Sequence, residues 1–399
     1  MTRISRRSML EGAAIAATAA MLPASVFAQG APLKLGVLTP LTGAGGNDGP
    51  RMLKAMDAVR LEVNKAGGVL GRQIEFVVED DQTNPEAAVR AARKLIEVDK
   101  VPVIMGTWAS AVTSAVLPVA WESKTFVLTV SGADSISMLP HQGYLARTQP
   151  TSKLQATSHA EFIASLGHKK VGVIGIQAPF ALPTKEHLDT ILKTKGGGVV
   201  SHIIYEKDKA TYRSEIDQAM KGSPDFLYLN GYAPDTVVLL RDLYKAGIEL
   251  PKFCQSYAVP QKTLDAMPPE VIEGVYTGQP SADIESPAFK LAAARIGIPE
   301  PDAYEAQASD WASLAILAIA KAKEATGVAI KDNLRKISQG SGQKVYSAVE
   351  GLKAMSEGRE INYEGASGPC DFTDIGDIAG CRFRYMRVAK GKLEFLKIV

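Results

Sequence analysis

From Leu33 onward, short apolar runs alternate with helical stretches, and that alternation limits what this chain can fold into. Residues 33–40, 74–78, 101–105 and 126–130 read as strands. Between them, residues 50–64 carry Leu53, Met56, Val59 and Val63 along one side. Asn84-Pro85-Glu86 opens a second helix with a capping Asn and a Pro at the first position. Residues 110–121 form a third. Continuous apolar strands between amphipathic helices predict a parallel sheet covered on both faces.

The pattern then restarts. Helices are expected over 151–166, 184–195, 212–221 and 234–246, with strands at 170–176, 199–205, 226–229 and 252–255. Arg147-Thr148-Gln149-Pro150 marks the first crossing between halves, and the extended stretch 275–280 precedes a return. Residues 381–388 and 392–399 flank Ala389-Lys390-Gly391 and read as a hairpin. The 399 residues exceed one compact core, and 46% hydrophobic with 22% charged residues is the composition of a globular chain. The expected fold is α/β, with two doubly wound parallel-sheet lobes joined by a hinge. Residues 31–147 with 281–356 form the first lobe, and 148–280 with 357–399 the second.

The first residues read as an address. Arg3, Arg6 and Arg7 precede an apolar run from Ala13 to Leu22, and Val26-Phe27-Ala28 ends it. This is an export signal at 1–28, cut after Ala28 and placing the protein in the periplasm. The run is too short to span a bilayer. Arg6-Arg7 resembles the twin-arginine signal, although Glu11 stands where a basic residue is common. The formal charge of +2 comes from this leader, so the mature chain is neutral. No nucleic-acid partner is expected, and a monomer is.

Catalytic patterns are absent. No nucleophile elbow, P-loop, H-E-x-x-H or C-x-x-C occurs, and the five histidines are scattered. No enzyme activity, cofactor or metal is expected. Gly43-Ala44-Gly45-Gly46-Asn47-Asp48-Gly49 follows the first strand, but its third glycine comes one residue late for a dinucleotide loop. Two other loops fit a ligand better. Gly106-Thr107-Trp108-Ala109-Ser110 and Ser131-Gly132-Ala133-Asp134-Ser135 each follow a strand's carboxyl end. Their hydroxyls and the unpaired N–H groups of a helix start suit a carboxylate. The alternative is that Ser110 and Ser135 only cap helices.

Several segments carry a family resemblance. They are Leu35-Gly36-Val37 with Leu41-Thr42-Gly43, Asn64-Lys65-Ala66-Gly67-Gly68-Val69-Leu70-Gly71-Arg72, Glu79-Asp80-Asp81-Gln82, Arg147-Thr148, and Asp371-Phe372 with Gly376-Asp377. In this order the chain resembles the periplasmic solute-binding proteins of ABC transporters, in the leucine/isoleucine/valine-binding group. The resemblance implies the type I periplasmic binding protein fold, a small carboxylate-bearing ligand and an ABC permease as partner. It places the ligand's carboxylate at Ser110, Ala133 and Ser135, and aromatics at Phe180 and Tyr232. Trp108 enlarges the aromatic wall. Tyr257 stands where an amino-acid binder would carry Glu, so the ligand is an amino acid or an apolar or aromatic acid. The alternatives are an exported ligand-sensing module acting on a receptor, and an exported α/β enzyme. Cys370 and Cys381 flank a turn-rich segment and are expected to form a disulfide, leaving Cys254 as a buried thiol.

Overall fold

Strand β1 (Leu33–Thr39) opens the computed structural model, which describes residues 30–399. The leader, its arginine pair and the cut after Ala28 lie outside the described residues. Strands β2 (Ile74–Asp80), β3 (Val103–Thr107), β4 (Phe126–Thr129) and β5 (Leu145–Arg147) follow β1. They form one all-parallel sheet in the order β2-β1-β3-β4-β5. β1, β3, β4 and β5 are almost wholly buried, because helices cover both faces.

The chain then crosses to a second lobe with β6 (Lys170–Ile176), β7 (Gly198–Tyr205), β8 (Phe226–Asn230), β9 (Lys252–Gln255) and β10 (Tyr276–Ser281). It returns to the first lobe for four helices and a small ribbon, β11 (Gln343–Val345), β12 (Ile361–Gly365) and β13 (Gly368–Pro369). A third crossing delivers β14 (Arg382–Ala389) and β15 (Lys392–Ile398), an antiparallel pair that joins β10. The second sheet runs β15-β14-β10-β9-β8-β6-β7.

The helix Ala303–Ala322 holds the first crossing in place. Its residues from Glu305 to Ile319 are all buried. Trp311 Nε1 donates to Thr148 Oγ1 at 3.0 Å, and Gln307 Nε2 donates to Gln149 Oε1 at 3.0 Å.

Two expectations are corrected. The sequence pattern places residues from 357 in the second lobe. Ile361, Tyr363, Cys370, Phe372 and Ile378 instead pack in the first lobe's core, so the third crossing falls after Ile378. The ribbon β11–β13 was not visible, because its strands are two to five residues long. The second correction follows from the first: Cys370 and Cys381 are both free, as is Cys254. Cys370 is buried in the first lobe's core, whereas Cys381 packs on the second lobe's. The lobe boundary runs between them.

Candidate functional site

The cleft between the lobes is lined from strand ends and the helix starts that follow them. Near the end of β3 the backbone bulges at Gly106, with φ of +111°, where a side chain would crowd the Leu38 carbonyl and Thr39. The loop that follows brings Trp108 and Ser110 to the wall, both buried. The helix Ser110–Glu122 starts at Ser110 without a side-chain cap. Ser110 Oγ instead accepts from Ala133 N at 3.2 Å, which ties the loop after β3 to the loop after β4. Ser131 Oγ reinforces that tie by donating to Trp108 O at 3.0 Å. Ala133 is thus the buried brace behind Ser110. Ser135 is exposed and lies outside the cleft lining, so it neither faces the ligand space nor shares its loop partner's role.

The second lobe supplies the facing wall. Phe180 follows β6, Tyr232 follows β8 and Tyr257 follows β9. Tyr232 is placed by Gly231, where a Cβ would sit 1.8 Å from the Tyr205 hydroxyl. Trp108 meets Tyr232 with ring centroids 4.9 Å apart and Tyr257 edge-on at 5.8 Å. Phe180 lies 5.3 Å from Tyr232. The aromatic groups of both lobes are therefore in contact, and the space left among them is about 40 Å³.

Sequence reasoning missed the polar part of the wall. Ser152, Gln155, Thr184, Asn230, Gln255 and Tyr304 also line the cleft. Ser152 and Thr184 each begin a helix, and that position after a strand or crossing was the available signal. Asn230 Nδ2 donates to Thr184 Oγ1 at 2.7 Å, while Asn230 Oδ1 and Trp108 Nε1 are buried without a partner. Beneath them the Tyr228 hydroxyl meets His159 Nδ1 at 2.9 Å and receives Gln255 Nε2 at 3.2 Å. Burial pushes the His159 pKa down to about 3, so its ring is neutral. Burial also raises the phenols of Tyr228, Tyr232, Tyr257 and Tyr304, which keeps their hydroxyls protonated.

The lining therefore contains no Asp, Glu, Lys, Arg or His side chain. Its polar groups are neutral hydroxyls, amides and helix-start N–H groups, which favour an anion at short range. Such a set binds and orients a ligand. Among the described residues, no three His, Cys, Asp or Glu side chains gather as metal ligands.

A family model described as periplasmic binding protein matches residues 32–390. The leucine-, isoleucine-, valine-, threonine- and alanine-binding protein of Pseudomonas aeruginosa is 24% identical over 355 residues, covering 88% of each chain. A leucine-binding protein from Thermotoga maritima has a similar structure, with a TM-score of 0.78 at 21% identity, covering 92% of this chain and 98% of that one. An ABC-transporter solute-binding protein from R. palustris, solved with 4-hydroxybenzoate, gives a TM-score of 0.75 at 18% identity, over 92% and 97% of the chains.

Proposed function

The chain belongs to the periplasmic binding protein family, and from that premise we propose that it captures a small apolar or aromatic carboxylate and delivers it to an ABC permease. The observation that carries this reading is the absence of any charged side chain from the cleft lining. An α-amino acid would bury its ammonium there without a counter-charge, which is costly. A simple carboxylate needs only donors, and the hydroxyls of Ser110 and Thr184 with the start of the helix Ser110–Glu122 supply them. The aromatic wall takes the apolar body.

Recognition by a permease follows from linkage. A ligand bonded to Ser110 in one lobe and packed on Phe180 and Tyr232 in the other favours the closed arrangement by its differential affinity. A micromolar dissociation constant requires about 8 kcal/mol, within reach of a few hydrogen bonds and one buried ring. The leader with Arg6-Arg7, cut after Ala28, would deliver a monomer to the periplasm.

Thermal-shift and calorimetric titration with benzoate, 4-hydroxybenzoate, leucine, isoleucine and valine test the reading. The aromatic acids should stabilise the protein and the amino acids should not. Stabilisation by the branched-chain amino acids alone overturns it. Mass spectrometry of ligand released on denaturation identifies the natural solute.

A further inference from the structure

Gln149, Gln155, Gln255, Tyr257 and Tyr304 border two spaces at once. One is the aromatic cleft. The other is a larger adjoining chamber of about 650 Å³ that shares Tyr257 and Tyr304, whose rings stand 6.4 Å apart. The chamber's first-lobe wall is built where the helices Gly49–Lys65 and Ala303–Ala322 begin, and it carries Asp48, Arg51 and Asp302.

Most charges there have local partners. Arg51 pairs with Asp302 at 2.8 Å and with Glu305 at 3.0 Å. Asp302 also caps its helix by accepting from Glu305 N at 2.9 Å. Arg384 pairs with Glu300. Asp48 is different. It is 5% exposed and lines the chamber, yet its side chain does not cap the helix it precedes. Among the described residues its carboxyl group has no hydrogen bond or ion pair, and Arg51 is committed elsewhere. Burial and the nearby Asp302 push its pKa up to about 7. Its carboxyl group therefore opens on the chamber with its hydrogen-bonding capacity free for a ligand.

We propose that this chamber is a second ligand compartment, and that the ligand is an elongated carboxylic acid whose far end carries a hydrogen-bond donor, a hydroxyl or an ammonium, for Asp48. The two adjoining spaces, which share five wall residues, have opposite chemistry. Neutral donors at Ser110 suit the anionic head, and an unpaired acid at Asp48 suits a donor tail. The inference rests on the carboxylate reading above.

Three probes test it by calorimetry on the mature chain: benzoate, a phenylpentanoate with a para-hydroxyl, and its para-methoxy analogue. The hydroxyl probe should bind about tenfold more tightly than the methoxy probe, the ratio expected for one hydrogen bond to a charged or buried acceptor. Asp48→Ala should erase that ratio. Ala303→Phe, which fills the chamber from its wall, should weaken both long probes and leave benzoate unchanged. Equal binding of the two long probes, or a ratio that survives Asp48→Ala, overturns the compartment while benzoate binding keeps the carboxylate reading. Failure of all three acids to bind removes the carboxylate reading and the compartment with it. If Asp48→Ala does not fold, the wild-type ratio and Ala303→Phe still decide.

Discussion

Arg147 Nε donates to Asp377 Oδ1 at 2.6 Å inside the protein, joining the chain's first crossing to the approach of its third. Arg147 is fully buried, and its Nη1 also reaches the carbonyls of Ser131 and Ala133 at 3.1 and 2.7 Å. The pair therefore braces both the hinge and the loop that backs Ser110. Asp377→Ala strands a buried guanidinium, for which a loss of about 3–5 kcal/mol is expected. Urea denaturation measures it, and ligand affinity should fall with it.

Ser110→Ala removes a hydroxyl from the carboxylate end without removing a helix cap. Binding of an aromatic acid should weaken by about 1–3 kcal/mol, the range for a hydrogen bond to a charged group. Calorimetry reads the change, and the melting temperature of the free protein should fall as well, because Ala133 N loses its buried acceptor.

Tyr257→Glu puts a carboxylate into a lining that has none. Leucine should then gain affinity by about tenfold or more, as its ammonium finds a partner, while benzoate weakens through like-charge repulsion. Competition titration of the two ligands against both proteins checks the switch.

Asp81 gives a pH signature. It is fully buried, its Oδ1 accepts from Thr83 N at 2.7 Å, and its Oδ2 has no partner. Burial raises its pKa from 3.8 to about 7. The folded form thus favours the protonated acid, so its stabilisation is complete below pH 3.8 and is lost as pH rises through about 7. Relative to Asp81→Asn, the wild type should lose about 1.4 kcal/mol per pH unit across that window. Urea melts of both proteins at several pH values isolate this group, because their other titrations cancel.

The cysteines provide a chemical check. Denatured without reductant, the protein should take up alkylating reagent at Cys254, Cys370 and Cys381. A mass short of three additions would contradict the free thiols.

The lobes were legible because buried parallel strands are uninterrupted apolar runs, as β3 and β4 are. Trp108 and Ser110 were legible because each follows such a run, where α/β folds place ligands, whereas Phe180, Tyr232 and Tyr257 came from the family resemblance. Gln155 and Gln255 were not, since a glutamine within or ending an element has no signature until its neighbours are known. Ser135 misled because its loop takes a short tight turn that points it to solvent. The lobe of residues 361–378 was hidden for a related reason. The ribbon's strands are too short for a periodic pattern.

The antiparallel seam between β10 and β14 carries a consequence for time as well as shape. Tyr276 pairs with Arg387, and most of the chain between β10 and β14 belongs to the other lobe. As the chain emerges from synthesis, the first lobe can finish its core while the second still presents β10 as an open edge. Long-range pairings of this kind form slowly, and exposed edges invite wrong partners. The second lobe therefore waits for β14 and β15, and the window between the two lobes' completion is when this protein most needs shelter.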